Sequence, residues 1–153
     1  DTLKLIDDFV DIYLPDMKFV SSILSKRYTG REDYFERASE AISFMAKKPL
    51  RMDGEGKMLS GIIVRHLLMP LGVADSFEVL KWFKREMPAT AYLSLMSQYT
   101  PFGETEKFPE LRRPVTAREY ESVLNEAFAL GIENLFLQKR SSSGEKYIPK
   151  WDF

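Results

Sequence analysis

The sequence contains no cysteine. Disulfides, zinc knuckles, a cysteine nucleophile and an iron–sulfur cluster ligated by the chain's own thiolates are therefore excluded. Histidine is nearly as scarce: a single residue, His66, argues against a histidine-built metal site and against a Ser-His-Asp triad. No charge sign dominates. Lys and Arg number 22 against 23 Asp and Glu, a net charge of −1, which gives no support to a strongly basic nucleic-acid binder. No apolar run is long enough to span a bilayer, and no basic-then-apolar leader opens the chain. Glycine-rich phosphate loops are also missing, because Gly54-Glu55-Gly56 is too short a signal for either a P-loop or a dinucleotide fingerprint. Together these absences predict a cytoplasmic protein that binds neither nucleic acid nor membrane.

What is present is the composition of one ordinary globular domain: 153 residues, 44% hydrophobic and 29% charged. There is no internal repeat and no low-complexity linker. Apolar, β-branched or aromatic runs predict strands over 9–14, 60–69, 91–96 and 134–138. Pro15 stops the first, and Pro70 and Gly72 close the second. Asp53-Gly54 marks a turn. Helical spacing predicts helices over 31–47, 75–86 and 116–130. Each of the three carries a Ser/Thr/Asp-x-x-Glu signal for its start: Thr29 with Glu32, Asp75 with Glu78, and Thr116 with Glu119. Gly131 reads as the stop of the last. Trp82 and Phe83 read as helix–sheet packing. Strands separated by such helices must run parallel, so the expected class is α/β, a parallel sheet of about four strands with helical crossovers. Residues 139–153 read as an irregular tail.

Sites in parallel α/β proteins form at the carboxyl ends of the strands. There the first strand leaves through Asp16 and Lys18, which face the same way on an extended segment. They could hold an amino group and a carboxylate, or form an ordinary surface ion pair. Arg65 lies in a run that should be buried and needs partners; it is either a carboxylate clamp or half of a structural salt bridge. His66 alternates with Arg65, faces the other way, and reads as a satisfied histidine between sheet and helix. Gln98 and Tyr99 follow the third strand, where they could line a pocket or serve as loop residues.

Three segments carry a resemblance when taken together: VDIYLPDMK from Val10 to Lys18, IVRHLLMP from Ile63 to Pro70, and SLMSQYTP from Ser94 to Pro101. They resemble radical S-adenosylmethionine proteins, and within them the group similar to pyruvate formate-lyase activating enzyme. Asn134–Gln138, then Tyr147-Ile148-Pro149 ahead of Asp152-Phe153, fit the same group. The resemblance implies a partial (β/α) barrel of which residues 1–138 are the C-terminal half, followed by the tail 139–153. It also implies the family's cofactors, S-adenosylmethionine and a 4Fe-4S cluster. Reductive cleavage of S-adenosylmethionine would yield a 5′-deoxyadenosyl radical that abstracts hydrogen from a glycyl-radical polypeptide or another protein, with an electron donor as further partner.

By the same resemblance, Asp16 and Lys18 match the Asp-x-Lys pattern in which the lysine helps bind the cofactor carboxylate. Arg65 matches the strand arginine facing the cofactor, and Leu67, two residues on, would contact the adenine. Gln98 and Tyr99 match polar positions bordering it. The family's Cys-x-x-x-Cys-x-x-Cys loop is lacking here, as is its glycine-rich amino-group segment, so the chain alone is expected to be catalytically silent. A module derived from such a barrel that never held the cluster is the alternative. Met69-Pro70-Leu71-Gly72 departs from the family's Leu-Pro-Gly by moving the glycine one place. A half barrel would leave an unpaired edge at 9–14, which predicts self-association as a two-fold dimer unless the tail folds Ile148 and Trp151 over the open surface.

Overall fold

The computed structural model describes residues 2–103 and 105–137. The chain opens with a short helix α1 (Thr2–Ile6) and a 3-10 turn (Asp7–Phe9), then enters strand β1 (Ile12–Tyr13). Helices α2 (Ser22–Thr29) and α3 (Tyr34–Met45) follow, then β2 (Arg51–Met52) and the long β3 (Met58–Leu67). The remainder alternates: α4 (Val73–Glu86), β4 (Tyr92–Met96), two 3-10 turns (Thr105–Lys107 and Pro109–Arg112), α5 (Ala117–Ala129) and β5 (Leu135–Leu137). The sheet order is β1-β3-β4-β5, every neighbour parallel, with β2 added antiparallel to β3. The α/β class and the parallel sheet with helical crossovers are thus observed.

Several expected boundaries move, each for a local reason. The run 9–14 contracts to Ile12–Tyr13, because Phe9 sits in a turn closed by Val10 N–H on the Asp7 carbonyl. Pairing with β3 nonetheless continues past Pro15. Arg65 N–H donates to the Pro15 carbonyl at 2.8 Å, and Met17 N–H donates to the Arg65 carbonyl at 2.9 Å. The expected connector before residue 29 contains α2, capped by the Ser21 hydroxyl at its start and by Gly30 (φ 75°) at its end. Thr29 therefore ends a helix rather than starting one, and its hydroxyl donates to the Ser25 carbonyl. The helix expected over 31–47 begins at Tyr34 without a side-chain cap.

Asp75 does not cap α4, which starts from Gly72. Its carboxylate instead accepts the N–H groups of Val20 and Ser21, at 3.2 and 2.7 Å, tying α4 to the entry of α2. The box at Thr116 and Glu119 forms as expected. Gly131 (φ 65°) follows α5, in the left-handed conformation that suits glycine after a helix. The Asp53 turn closes the β2–β3 hairpin, so one short antiparallel pairing joins the parallel set. Gln138 and the tail from 139, with Ile148 and Trp151, lie outside the described residues.

Burial alternates along β3 and β4 as strand geometry dictates. Ile62, Val64, His66, Leu68, Leu93 and Leu95 are buried with Val79, Leu80, Trp82, Phe83 and Val123 of the helices. Their neighbours Ile63, Arg65, Leu67, Tyr92, Ser94 and Met96 are only half-buried. Helices therefore cover one face of the sheet, and the opposite, open face sets Arg65 and Ser94 among Ile63, Leu67, Tyr92 and Met96. No helix among the described residues is long and apolar enough to cross a membrane.

Candidate functional site

The open face is polar at the carboxyl ends of β1 and β3. Asp16 pairs with Arg65 as an isolated parallel bridge, so both side chains lie in one row. Arg65 Nη2 stands 2.7 Å from Asp16 Oδ1. That contact is governed by charge rather than by hydrogen-bond direction, because neither Asp16 Oδ1 nor the buried Arg65 Nε finds an aligned hydrogen-bond partner. Lys18 Nζ lies 3.6 Å from Asp16 Oδ2. The row continues through Ser94, opposite Arg65, to Phe136. Phe136 stacks on Tyr92 at 5.1 Å between centroids.

The segment bearing Asp16 and Lys18 is held from the helical side by Tyr34 and His66. The Tyr34 hydroxyl donates to the Asp16 carbonyl at 3.0 Å and accepts the Lys18 N–H at 2.9 Å. Burial pushes the Tyr34 phenol up, so it stays protonated and able to donate. His66 is buried on the covered face, with Nδ1 2.8 Å from the Met17 carbonyl and Nε2 2.8 Å from Ser76 Oγ. A carbonyl only accepts, so Nδ1 carries the proton and Nε2 accepts from the serine. Burial lowers the imidazole's affinity for a second proton, which keeps it neutral. Residues 16–18 are thus clamped by Tyr34, His66 and the Arg65 backbone. Tyr34 and Ser76 carried no separate signal, since each also fits an apolar or small position of its helix.

The structure brings Asp16, Lys18 and Arg65 together. Leu67 shares their face, with Met96 as its neighbour on β4. Gln98 follows Met96 by two residues and its amide nitrogen lies 3.9 Å from Met96 Sδ. Tyr99 turns elsewhere: its hydroxyl donates to the Leu111 carbonyl at 2.9 Å, fixing the loop after β4. A cavity of about 410 Å³ adjoins this rim, reached by both Lys18 and Leu67 and bounded by α2, the β3–α4 loop and the turn at Glu110. Among the described residues no cluster of three or more His, Asp or Glu side chains is placed to hold a metal ion.

No family model matches the chain, and no solved structure matches it. A curated relative, the uncharacterized protein MJ0674 of Methanocaldococcus jannaschii, is 25% identical over 134 residues. The match covers 88% of this chain and 36% of that relative, so the chain spans about a third of the relative's length.

Proposed function

We propose that this chain is the S-adenosylmethionine-binding part of a radical S-adenosylmethionine enzyme similar to pyruvate formate-lyase activating enzyme. The observation that carries the reading is the convergence of Asp16, Lys18 and Arg65 on the open face at the carboxyl ends of β1 and β3. The sequential strand order with helices over one face is what a segment of a (β/α) barrel would have, and supports the same reading. The donor set fits an amino-acid headgroup. The buried Arg65 Nε is a donor without an acceptor, and Lys18 adds a second cation, so a carboxylate would satisfy both. Asp16 would accept from an ammonium. Leu67 and Met96 offer apolar surface to a base. The chain has no thiolate for a 4Fe-4S cluster, so cluster ligands would have to come from outside this sequence.

Lys18, Arg65 and Asp16 would hold the cofactor's amino-acid headgroup, and S-adenosylmethionine beside such a cluster would supply radical chemistry for hydrogen abstraction. This chain's own residues bind and orient. Tyr34 and His66 hold the 16–18 backbone, which keeps the Lys18 ammonium and the Asp16 carboxylate beside Arg65. An electron donor and a hydrogen-bearing substrate, a glycyl-radical or other polypeptide, complete the reading.

Calorimetric titration of the full chain with S-adenosylmethionine tests it. Lys18→Ala and Arg65→Ala are each expected to weaken binding about tenfold or more, the loss of one charge-assisted contact. Unchanged affinity in both variants, or no saturable binding to the wild type, overturns the assignment. We also propose that the chain self-associates through the β1 edge, beside which Phe9 and Leu14 are 87% and 52% exposed. Sedimentation at tens of micromolar should show a dimer, and a clean 17.8 kDa monomer would sink the idea.

A further inference from the structure

We propose that the cavity at the carboxyl ends of β1 and β3 is a binding site for a small amphipathic monoanion, a carboxylate carried on an aliphatic or aromatic body. Its volume of about 410 Å³ suits a small molecule. Phe19 before α2, Leu24 on α2, and Leu67 and Met69 at the end of β3 supply apolar walls. The body of the ligand would pack there.

The charges around the cavity point to the headgroup. Four charged side chains line it: Lys18, Arg27, Asp75 and Glu110. Three are already committed. Arg27 Nε donates to Glu110 Oε1 at 2.9 Å, and the Tyr28 hydroxyl donates to the same oxygen. The Asp75 carboxylate takes two backbone N–H groups. Lys18 is held more loosely. Its one ion pair, to Asp16 Oδ2 at 3.6 Å, is long, and Arg65 shares that carboxylate through Oδ1 at 2.7 Å. An ammonium so loosely paired beside apolar walls suits one anionic group on an apolar body.

Leu71 adds an independent observation. Among the described residues it is the one non-glycine residue with positive φ, at 60°, a conformation costly for leucine and easy for glycine. Its side chain is 71% exposed, yet it lines this cavity. Its N–H is held by Glu119 Oε1 at 2.8 Å. An exposed leucine kept on a strained backbone at a cavity mouth is accounted for by a ligand that it covers.

The test is titration of the full chain with 2-naphthylacetate, followed by calorimetry and by amide chemical shifts, with S-adenosylmethionine absent throughout. Saturable binding with a dissociation constant below about 1 mM is expected. Leu71→Gly should weaken it about fivefold by removing apolar contact, while thermal stability holds or rises because glycine relieves the positive φ. Lys18→Met should weaken it about tenfold and abolish its salt dependence. Lys81→Met, on α4 and outside the cavity lining, should change it by less than about twofold, as expected for a residue beyond contact. Wild-type binding that never saturates overturns the proposal, as does full affinity in both Leu71→Gly and Lys18→Met. Equal losses in Lys81→Met and Lys18→Met also overturn it, since binding would then follow surface charge rather than the cavity. Lys18 serves both readings, but naphthylacetate binding without S-adenosylmethionine binding would sink only the cofactor reading, and the reverse result only this one.

Discussion

Replacing His66 with alanine is expected to destabilise the fold by about 3–5 kcal/mol, the sum of a buried cavity and two stranded polar partners. The imidazole is 1% exposed and bridges the Met17 carbonyl to Ser76 Oγ. Without it, a buried carbonyl and a buried hydroxyl lose their partners, and the segment carrying Asp16 and Lys18 loses one of its clamps. Urea denaturation at neutral pH reads the loss, and a change under about 1 kcal/mol would contradict it. The same residue imposes a pH dependence. Burial holds its folded pKa below the ordinary 6.5. Above pH 6.5 the imidazole is neutral in both states and its contribution is complete. Below 6.5 the unfolded chain takes up a proton that the folded chain refuses, so stability falls with pH until the folded pKa is reached. The expected slope is about 1.4 kcal/mol per pH unit. Asp75, whose carboxyl burial raises above 3.8, works in the opposite direction as acid is added. The informative quantity is therefore the difference between wild type and His66→Gln, and a difference independent of pH between 6.5 and 5 would refute the buried neutral imidazole.

Glu119→Ala should cost about 2–4 kcal/mol, since hydrogen bonds to charged groups are worth more than neutral ones. Arg113 reaches both carboxylate oxygens at 2.8 Å. Thr116 donates its N–H and its hydroxyl, and Leu71 its N–H. One side chain thus caps α5, anchors the strand-to-helix loop and holds the cavity lip. The Glu119 side chain is 13% exposed and that of Arg113 38%, so solvent screens part of these contacts and the loss belongs toward the lower end of that range. Arg113 keeps the Glu119 carboxyl well below the usual carboxylate range. The sign follows. The stabilisation is fully present above the unfolded value of 4.5 and is lost as pH falls toward the folded one. Glu119→Gln should keep the shape but lose the charge, giving a smaller loss at pH 7. Thermal melts of both variants check this, and equal stability of wild type and Glu119→Ala would remove the hub.

The class of the fold was legible because it rests on short-range pattern. Alternation in Ile62 to Leu68 set His66 opposite Arg65, and the burial pattern agrees, but the run expected to be buried is buried on one face only and leaves the Arg65 side chain 42% exposed. Thr116 and Glu119 were legible as a cap because both members lie within one helical turn. The same spacing misled at Asp75 and Thr29. A Ser/Thr/Asp-x-x-Glu pattern reports only what the side chain could do locally, and Asp75 finds backbone donors 55 and 54 residues away in sequence that outweigh a local cap.

By itself the sequence determined a cysteine-free α/β chain with parallel strands, and it pointed to Asp16, Lys18, Arg65 and Gln98 at the strand ends and to a histidine facing away from Arg65. Tertiary structure alone decided what those residues meet. Tyr34 clamps Asp16 and Lys18 from 18 and 16 residues away, His66 reaches Met17 across 49, and Glu119 reaches Leu71 across 48. Such partners are chosen by how helices dock on the sheet, and docking depends on the summed apolar faces of many residues rather than on any local pattern. The cavity beside Lys18 has the same origin: its walls come from the segment after β1, α2, the end of β3, the β3–α4 loop and the turn at Glu110, which only the packed chain brings to one place.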